Sequence, residues 1–220
     1  MFEKYKTIVF DCDGVILDSN KIKSQAFYDV ALEFGEQAAK QLLDYHIQRG
    51  GISRFLKFEW FVKTVLKKEN YESFVNDLLQ KYADIVEREL LLCSVAESLD
   101  VFREKTKYAN WMVVSGGKQE ELISLFAKRK INHLFNKGIF GSPNPKNVII
   151  EREINNGNII FPALYIGDSK YDYEVSTLLG LEFVFLKNWT EFKEWESFFK
   201  DKEIHIFNDI KTMTYEKNIP

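Results

Sequence analysis

Four short apolar runs punctuate the chain. Thr7-Ile8-Val9-Phe10 leads into Asp11, Trp111-Met112-Val113-Val114 into Ser115, and Ala163-Leu164-Tyr165-Ile166 into Gly167-Asp168; Phe183-Val184-Phe185-Leu186 is the fourth. Runs this short, rich in β-branched and aromatic residues and without polar alternation, predict strands buried on both faces, as in a parallel sheet. Helical patterns lie between them. Residues 118–130 bring Leu122, Leu125 and Phe126 onto one face, and 145–155 open on Pro145, a residue suited to a helix start. Strands alternating with helices predict an α/β fold with a mostly parallel sheet. Ligands of such sheets bind at the carboxyl ends of the strands, where Asp11, Ser115 and Asp168 fall.

Residues 18 to about 90 show no strand-like run. Their apolar spacing predicts four helices, roughly 21–34, 37–48, 53–67 and 71–91, with Gly50-Gly51 breaking the second from the third and Ser53 placed to cap the third. A helical block inserted after the first strand cannot join the sheet, so it is expected to form a separate lobe. The reading divides the chain into a core of residues 1–17 and 91–220 and an all-helical insert of residues 18–90.

Composition narrows the class. The 220 residues are 45% hydrophobic and 29% charged, with a net charge of -3, the profile of a globular chain. No concentrated basic patch points to nucleic acid, and no apolar run approaches a membrane span. Cys12 and Cys93 stand alone, and the stretch Met1 to Lys6 carries Glu3 and no long apolar segment. The expectation is a cytoplasmic protein without a disulfide framework or secretory leader; composition leaves its oligomeric state open. The 19 Phe and four Trp predict bulky packing.

The chemistry sits in four pieces. Asp11-Cys12-Asp13-Gly14-Val15 follows a buried strand, and strand alternation predicts that Asp11 and Asp13 point together and Cys12 away. Paired carboxylates repel unless a cation lies between them, and oxygen-only ligands suit Mg²⁺; a solvated acidic loop is the competing reading. Gly167-Asp168-Ser169-Lys170-Tyr171-Asp172 puts a second acid at a strand end and a third at a helix start, where Asp172 also suits the macrodipole. Ser115-Gly116-Gly117 offers a hydroxyl and free N–H groups at a helix start, a phosphate seat or an ordinary cap. Lys146, just inside a helix, is placed to neutralise phosphate and orient a carboxylate, or to be a solvated lysine.

In this order the four pieces resemble the motifs of the haloacid dehalogenase superfamily, over the whole chain and with a helical cap inserted after the first motif. Asp11-x-Asp13-Gly14-Val15 is similar to the first motif, Ser115 to the second, Lys146 to the third and Gly167-Asp168-x-x-x-Asp172 to the fourth. Two departures are the double glycine after Ser115 and a Lys146 that follows its prolines. The resemblance implies a Rossmann-like core and an Mg²⁺-dependent phosphatase in which Asp11 forms an aspartyl-phosphate. Asp13 is then the general acid and base. Asp11, the Asp13 main-chain carbonyl and Asp168 hold the metal, Ser115 and Lys146 bind phosphoryl oxygens, and Asp172 steadies metal waters or Lys146.

Asp13 argues against the dehalogenases, which lack it. Gly51-Ile52-Ser53-Arg54 is similar to the substrate loop of the β-phosphoglucomutase branch, whereas Gly167-Asp168 matches phosphatases such as phosphoglycolate phosphatase. A small phosphorylated metabolite, a sugar or organic-acid phosphate, is the expected substrate, with Arg49 and Arg54 either reaching its distal end or standing as a helix-end charge and a solvated charge beside a Gly50-Gly51 turn that merely joins two helices. A sugar phosphomutase and a non-catalytic binding module of the same fold are the alternatives. A cysteine hydrolase using Cys12 with His46, His133 or His205 is disfavoured, and the three histidines read as ordinary surface or core residues.

Overall fold

β1 (Thr7–Phe10) is flanked on both sides and buried at all four residues, which is why it reads as an unbroken apolar run. The computed structural model, which describes residues 2–216, adds β2 (Asn110–Lys118), β3 (Ile139–Ser142), β4 (Ala163–Gly167), β5 (Glu182–Leu186) and β6 (His205–Phe207). They form one parallel sheet in the order β3-β2-β1-β4-β5-β6. Four of these strands stand where the apolar runs place them. The edge strands β3 and β6 are four and three residues long, too short to show a pattern of their own.

Strand alternation divides the core. Ile8 and Phe10 join Trp111, Val113, Leu164 and Ile166 on one face, covered by α5 (Leu99–Lys105), α6 (Gln119–Lys128) and α10 (Ile210–Tyr215). Val9, Met112, Val114 and Tyr165 face the other way, towards α7 (Lys146–Asn155), α8 (Lys170–Leu178) and α9 (Trp195–Phe199). The Phe excess serves this packing: Phe10, Phe102 and Phe135 surround Trp111, with Phe10 and Trp111 ring centroids 4.5 Å apart, and Phe126 packs on Phe135.

The inserted segment folds as α1 (Asn20–Ala31), α2 (Glu36–Gln48), α3 (Arg54–Trp60) and α4 (Tyr71–Leu92), with Phe27, Leu42, Phe58, Phe61 and Tyr82 in an apolar cluster of their own. Ser53 caps α3, its hydroxyl accepting from Phe55 N. The third helix is shorter than predicted, because Phe61–Val65 widens into a π-helical turn in which Leu66 N bonds to Phe61 O. The two linkers to the sheet run side by side: Asp18 N bonds to Ser94 O and Ala96 N to Ile16 O. Among the described residues, no helix is long and apolar enough to cross a membrane.

Candidate active site

β1 and β4 end side by side and deliver Asp11 and Asp168 to the same edge. Asp172, in the first turn of α8, completes a group of three buried carboxylates with oxygens within 4.8 Å of one another. Ser169 caps α8 in a reciprocal box: its hydroxyl accepts from Asp172 N while Asp172 Oδ2 accepts from Ser169 N. Lys146, at the start of α7, reaches in with Nζ 2.9 Å from Asp11 Oδ1 and 2.6 Å from Asp172 Oδ1. Tyr165 lies 3.0 Å from Asp172 Oδ1. Asp172 is thus engaged on both oxygens, as a holder of Lys146.

The electrostatics follow from burial. Desolvation pushes the Asp11 carboxyl up to about 7, Lys146 opposing it and Asp172 and Asp13 adding to it. Burial, with Asp11 and Asp172 beside it, holds Asp168 well above the carboxylate range. Burial alone would lower Lys146, yet Asp11 and Asp172 keep it firmly charged. One lysine against three crowded carboxylates leaves a demand for more positive charge. An oxygen-only donor set at that place fits Mg²⁺.

Asp13 is placed differently from the strand-based reading. β1 ends at Phe10, so alternation does not extend to it, and the chain turns through Gly14 at φ 74°. The Asp13 carboxylate accepts from Ser19 Oγ at 2.5 Å and pairs with Lys23 Nζ at 2.6 Å, and it is not one of the three clustered carboxylates. Burial would raise Asp13, but Lys23 and Ser19 hold it below the usual carboxylate range. Gly14 is required by crowding as well as conformation, since a Cβ there would lie 2.1 Å from Asp168 Oδ2. Cys12 turns into the core, where burial drives its thiol well up and leaves it unsuited to attack.

Ser115 is fully buried, and its hydroxyl accepts from Gly117 N at 3.1 Å. The strand followed by a helix is as expected, but β2 runs on past Ser115 to Lys118 with shifted pairing to β3 before α6 begins at Gln119. Gly116 lies on the wall of a cavity of about 990 Å³ that also borders Asp11, Asp13, Asp168, Arg49 and Arg54. The Gly50-Gly51 turn closes over it, and a Cβ on Gly116 would lie 2.7 Å from Gly51 O. Arg49 is exposed at the end of α2 with its guanidinium over Tyr45. Arg54 pairs with Glu121 Oε1 of α6 and covers Tyr82, so its charge is already answered.

Several site residues carried no signal in the sequence. Asn20 donates to Asp168 Oδ2 at 2.7 Å and to Trp189 O at 2.8 Å, and Thr190 Oγ1 donates to Asp168 O. Lys23, His46 and Lys57 come from three helices of the insert to the cavity wall. Each is a lone polar residue on an amphipathic helix, indistinguishable from a surface residue until the helices pack.

Residues 8–186 match the family model of the haloacid dehalogenase-like hydrolases. The chain belongs to this family. Its fold is that of other members of known structure, all at low identity. A protein from Bacteroides vulgatus, provisionally assigned as a β-phosphoglucomutase, superposes with a TM-score of 0.75 at 14% identity, covering 96% of this chain and 87% of the other. A predicted phosphoglycolate phosphatase from Haemophilus somnus gives 0.71 at 16%, covering 96% of each chain. A haloacid dehalogenase-like hydrolase from Streptococcus pneumoniae gives 0.65 at 16%, covering 96% and 98%. Among curated proteins, none matches the chain.

Proposed function

We propose that this haloacid dehalogenase-like hydrolase is an Mg²⁺-dependent phosphatase of a small phosphomonoester, working through an aspartyl-phosphate on Asp11. The observation that carries the reading is the clustering of Asp11, Asp168 and Asp172 beside a cavity, with Lys146 paired to Asp11 and Asp172. Asp11, Asp168 and the Asp13 main-chain carbonyl would hold Mg²⁺, which when bound neutralises phosphoryl charge.

The remaining steps belong to the side chains. Cys12 N and Lys146 both hold Asp11 Oδ1, fixing the plane of the carboxylate for attack on phosphorus. Attack forms the Asp11–phosphorus bond and breaks the ester bond, with Asp13 giving its proton to the departing alkoxide. Water then attacks phosphorus, Asp13 takes its proton, and phosphate leaves with Asp11 restored. Lys146 and the Ser115-Gly116 stretch of β2 would bind the phosphoryl oxygens. Lys23 keeps Asp13 ionised, which suits the second step; donation in the first requires Lys23 to draw away, and Lys23 borders the same cavity. The helical block serves as a lid, and its two linkers as the hinge.

The deciding experiment is phosphate release by Asp11→Asn, which keeps shape and loses the attacking oxygen. Its turnover should fall roughly 10⁴-fold or more, as for deleted nucleophiles generally, and wild type should trap beryllium fluoride on Asp11. Wild-type rates in Asp11→Asn would refute the nucleophile.

A further inference from the structure

Lys57 is 3% exposed, yet it reaches the cavity wall from α3. The other cations of the site are answered by carboxylates: buried Lys146 by Asp11 and Asp172, half-buried Lys23 by Asp13 and half-buried Arg54 by Glu121. Among the described residues no carboxylate pairs with Lys57, whose polar contact is His46 Nδ1 of α2 at 2.7 Å. When Lys57 is an ammonium it only donates, so Nδ1 then accepts one Nζ hydrogen and the ring is neutral. Phe27 lies 5.4 Å from Nζ; Lys23 and Lys146 repel the ammonium, and Asp13 and Glu191 attract it without pairing with it. Burial, then Lys23, brings the Lys57 ammonium down to about 7, and burial followed by Lys57 pushes His46 well below its ordinary value. A buried cation with no counter-ion is costly, and an apolar residue would pack against Phe27 and Phe58 without that cost.

The geometry points to Lys57, positioned by His46, as the seat for a second anionic group on the substrate, a carboxylate or phosphate carried by the leaving alcohol. This rests on the phosphomonoesterase reading and narrows its substrate class. One cavity borders both Asp11 and Lys57, so both are open to the same bound ligand. An anion there supplies the paired counter-charge that Lys57 lacks among the described residues. It also moves the distal contact from Arg54, already paired with Glu121, to a residue one helical turn further on.

The test uses two pairs of probes matched in length, phosphoglycolate against ethyl phosphate and 3-phosphooxypropanoate against propyl phosphate. Calorimetry on Asp11→Asn saturated with Mg²⁺ reads binding without turnover. At least one acid should bind roughly tenfold or more tighter than its alkyl partner, the worth of a charge-assisted hydrogen bond. Adding Lys57→Met should abolish that preference and Lys57→Arg should recover part of it. No preference for either acid, or one that survives Lys57→Met, overturns the proposal. Should Lys57→Met fail to fold, acylation of Lys57 in the wild type by acetic anhydride, read by peptide mass, replaces it: the preferred acid should protect Lys57 and its alkyl partner should not. Equal labelling in both overturns the proposal. Absence of phosphate release from every ester would instead defeat the hydrolase reading, leaving the binding and labelling arms to judge the anion seat.

Discussion

Lys146 Nζ lies 2.9 Å from Asp11 Oδ1, with 1% and 4% of the two side chains exposed. The two residues are far apart in sequence and meet because α7 begins beside the carboxyl end of β1. Asp172 holds the same ammonium from the other side at 2.6 Å. Lys146 is thereby a fixed positive charge at the place where the proposed nucleophile must be both ionised and oriented.

Lys146→Met should therefore fail in two separable ways. Removing one partner of a buried pair leaves uncompensated charge, a loss of about 3–5 kcal/mol in stability, measurable by urea denaturation. Phosphate release should fall by orders of magnitude even where the variant is fully folded. A folded Lys146→Met with wild-type turnover would remove this lysine from the reaction.

Magnesium affinity should rise with pH. The Asp11 carboxyl is pushed up to about 7 and Asp168 well above its usual range, chiefly by burial, so the metal-free protein carries protons that the cation must displace. Below pH 7 those protons compete; above it the competition at Asp11 disappears. Titration with Mg²⁺ at pH 6 and pH 8 should show tighter binding at pH 8 with proton release at pH 6. Affinity independent of pH would place the metal elsewhere.

Arg54 and Glu121 form a clasp between α3 of the insert and α6 of the sheet domain, Nη2 to Oε1 at 2.5 Å. If the insert opens as a lid, breaking the clasp should favour the open state. Glu121→Gln should raise KM for every phosphate ester by a similar factor, because closure rather than recognition is lost. A selective loss on esters with a second anion would instead restore Arg54 as a substrate ligand.

Hydrolase and mutase differ in product. Phosphorus NMR of the best ester should show inorganic phosphate appearing without any bisphosphate activator. Isomerised sugar phosphate with negligible free phosphate would reverse the choice. The pairing of Arg54 with Glu121 favours the hydrolase, since the mutase-like reading of Gly51-Ile52-Ser53-Arg54 needs that guanidinium free.

The sequence by itself determined the central sheet, the inserted helices and the acids at the strand ends. β1, β2, β4 and β5 are buried on both faces, so their positions show as unbroken apolar runs, and Asp11 and Asp168 stand out as charges directly after them. The order of the four motifs carried the resemblance to the family, and the family-model match over residues 8–186 shows membership. The tertiary structure decided the partners. Asp13 turns to Lys23 because β1 stops before it, Ser115 bonds Gly117 within an extended strand, and Arg54 is drawn to Glu121. His46 and Lys57 look like solvated residues of amphipathic helices, yet both are buried once α2 and α3 close over the cavity. Local pattern reports only which face of an element is apolar. Which charges meet is set by contacts between elements distant in sequence, and burial then decides what each charge can do.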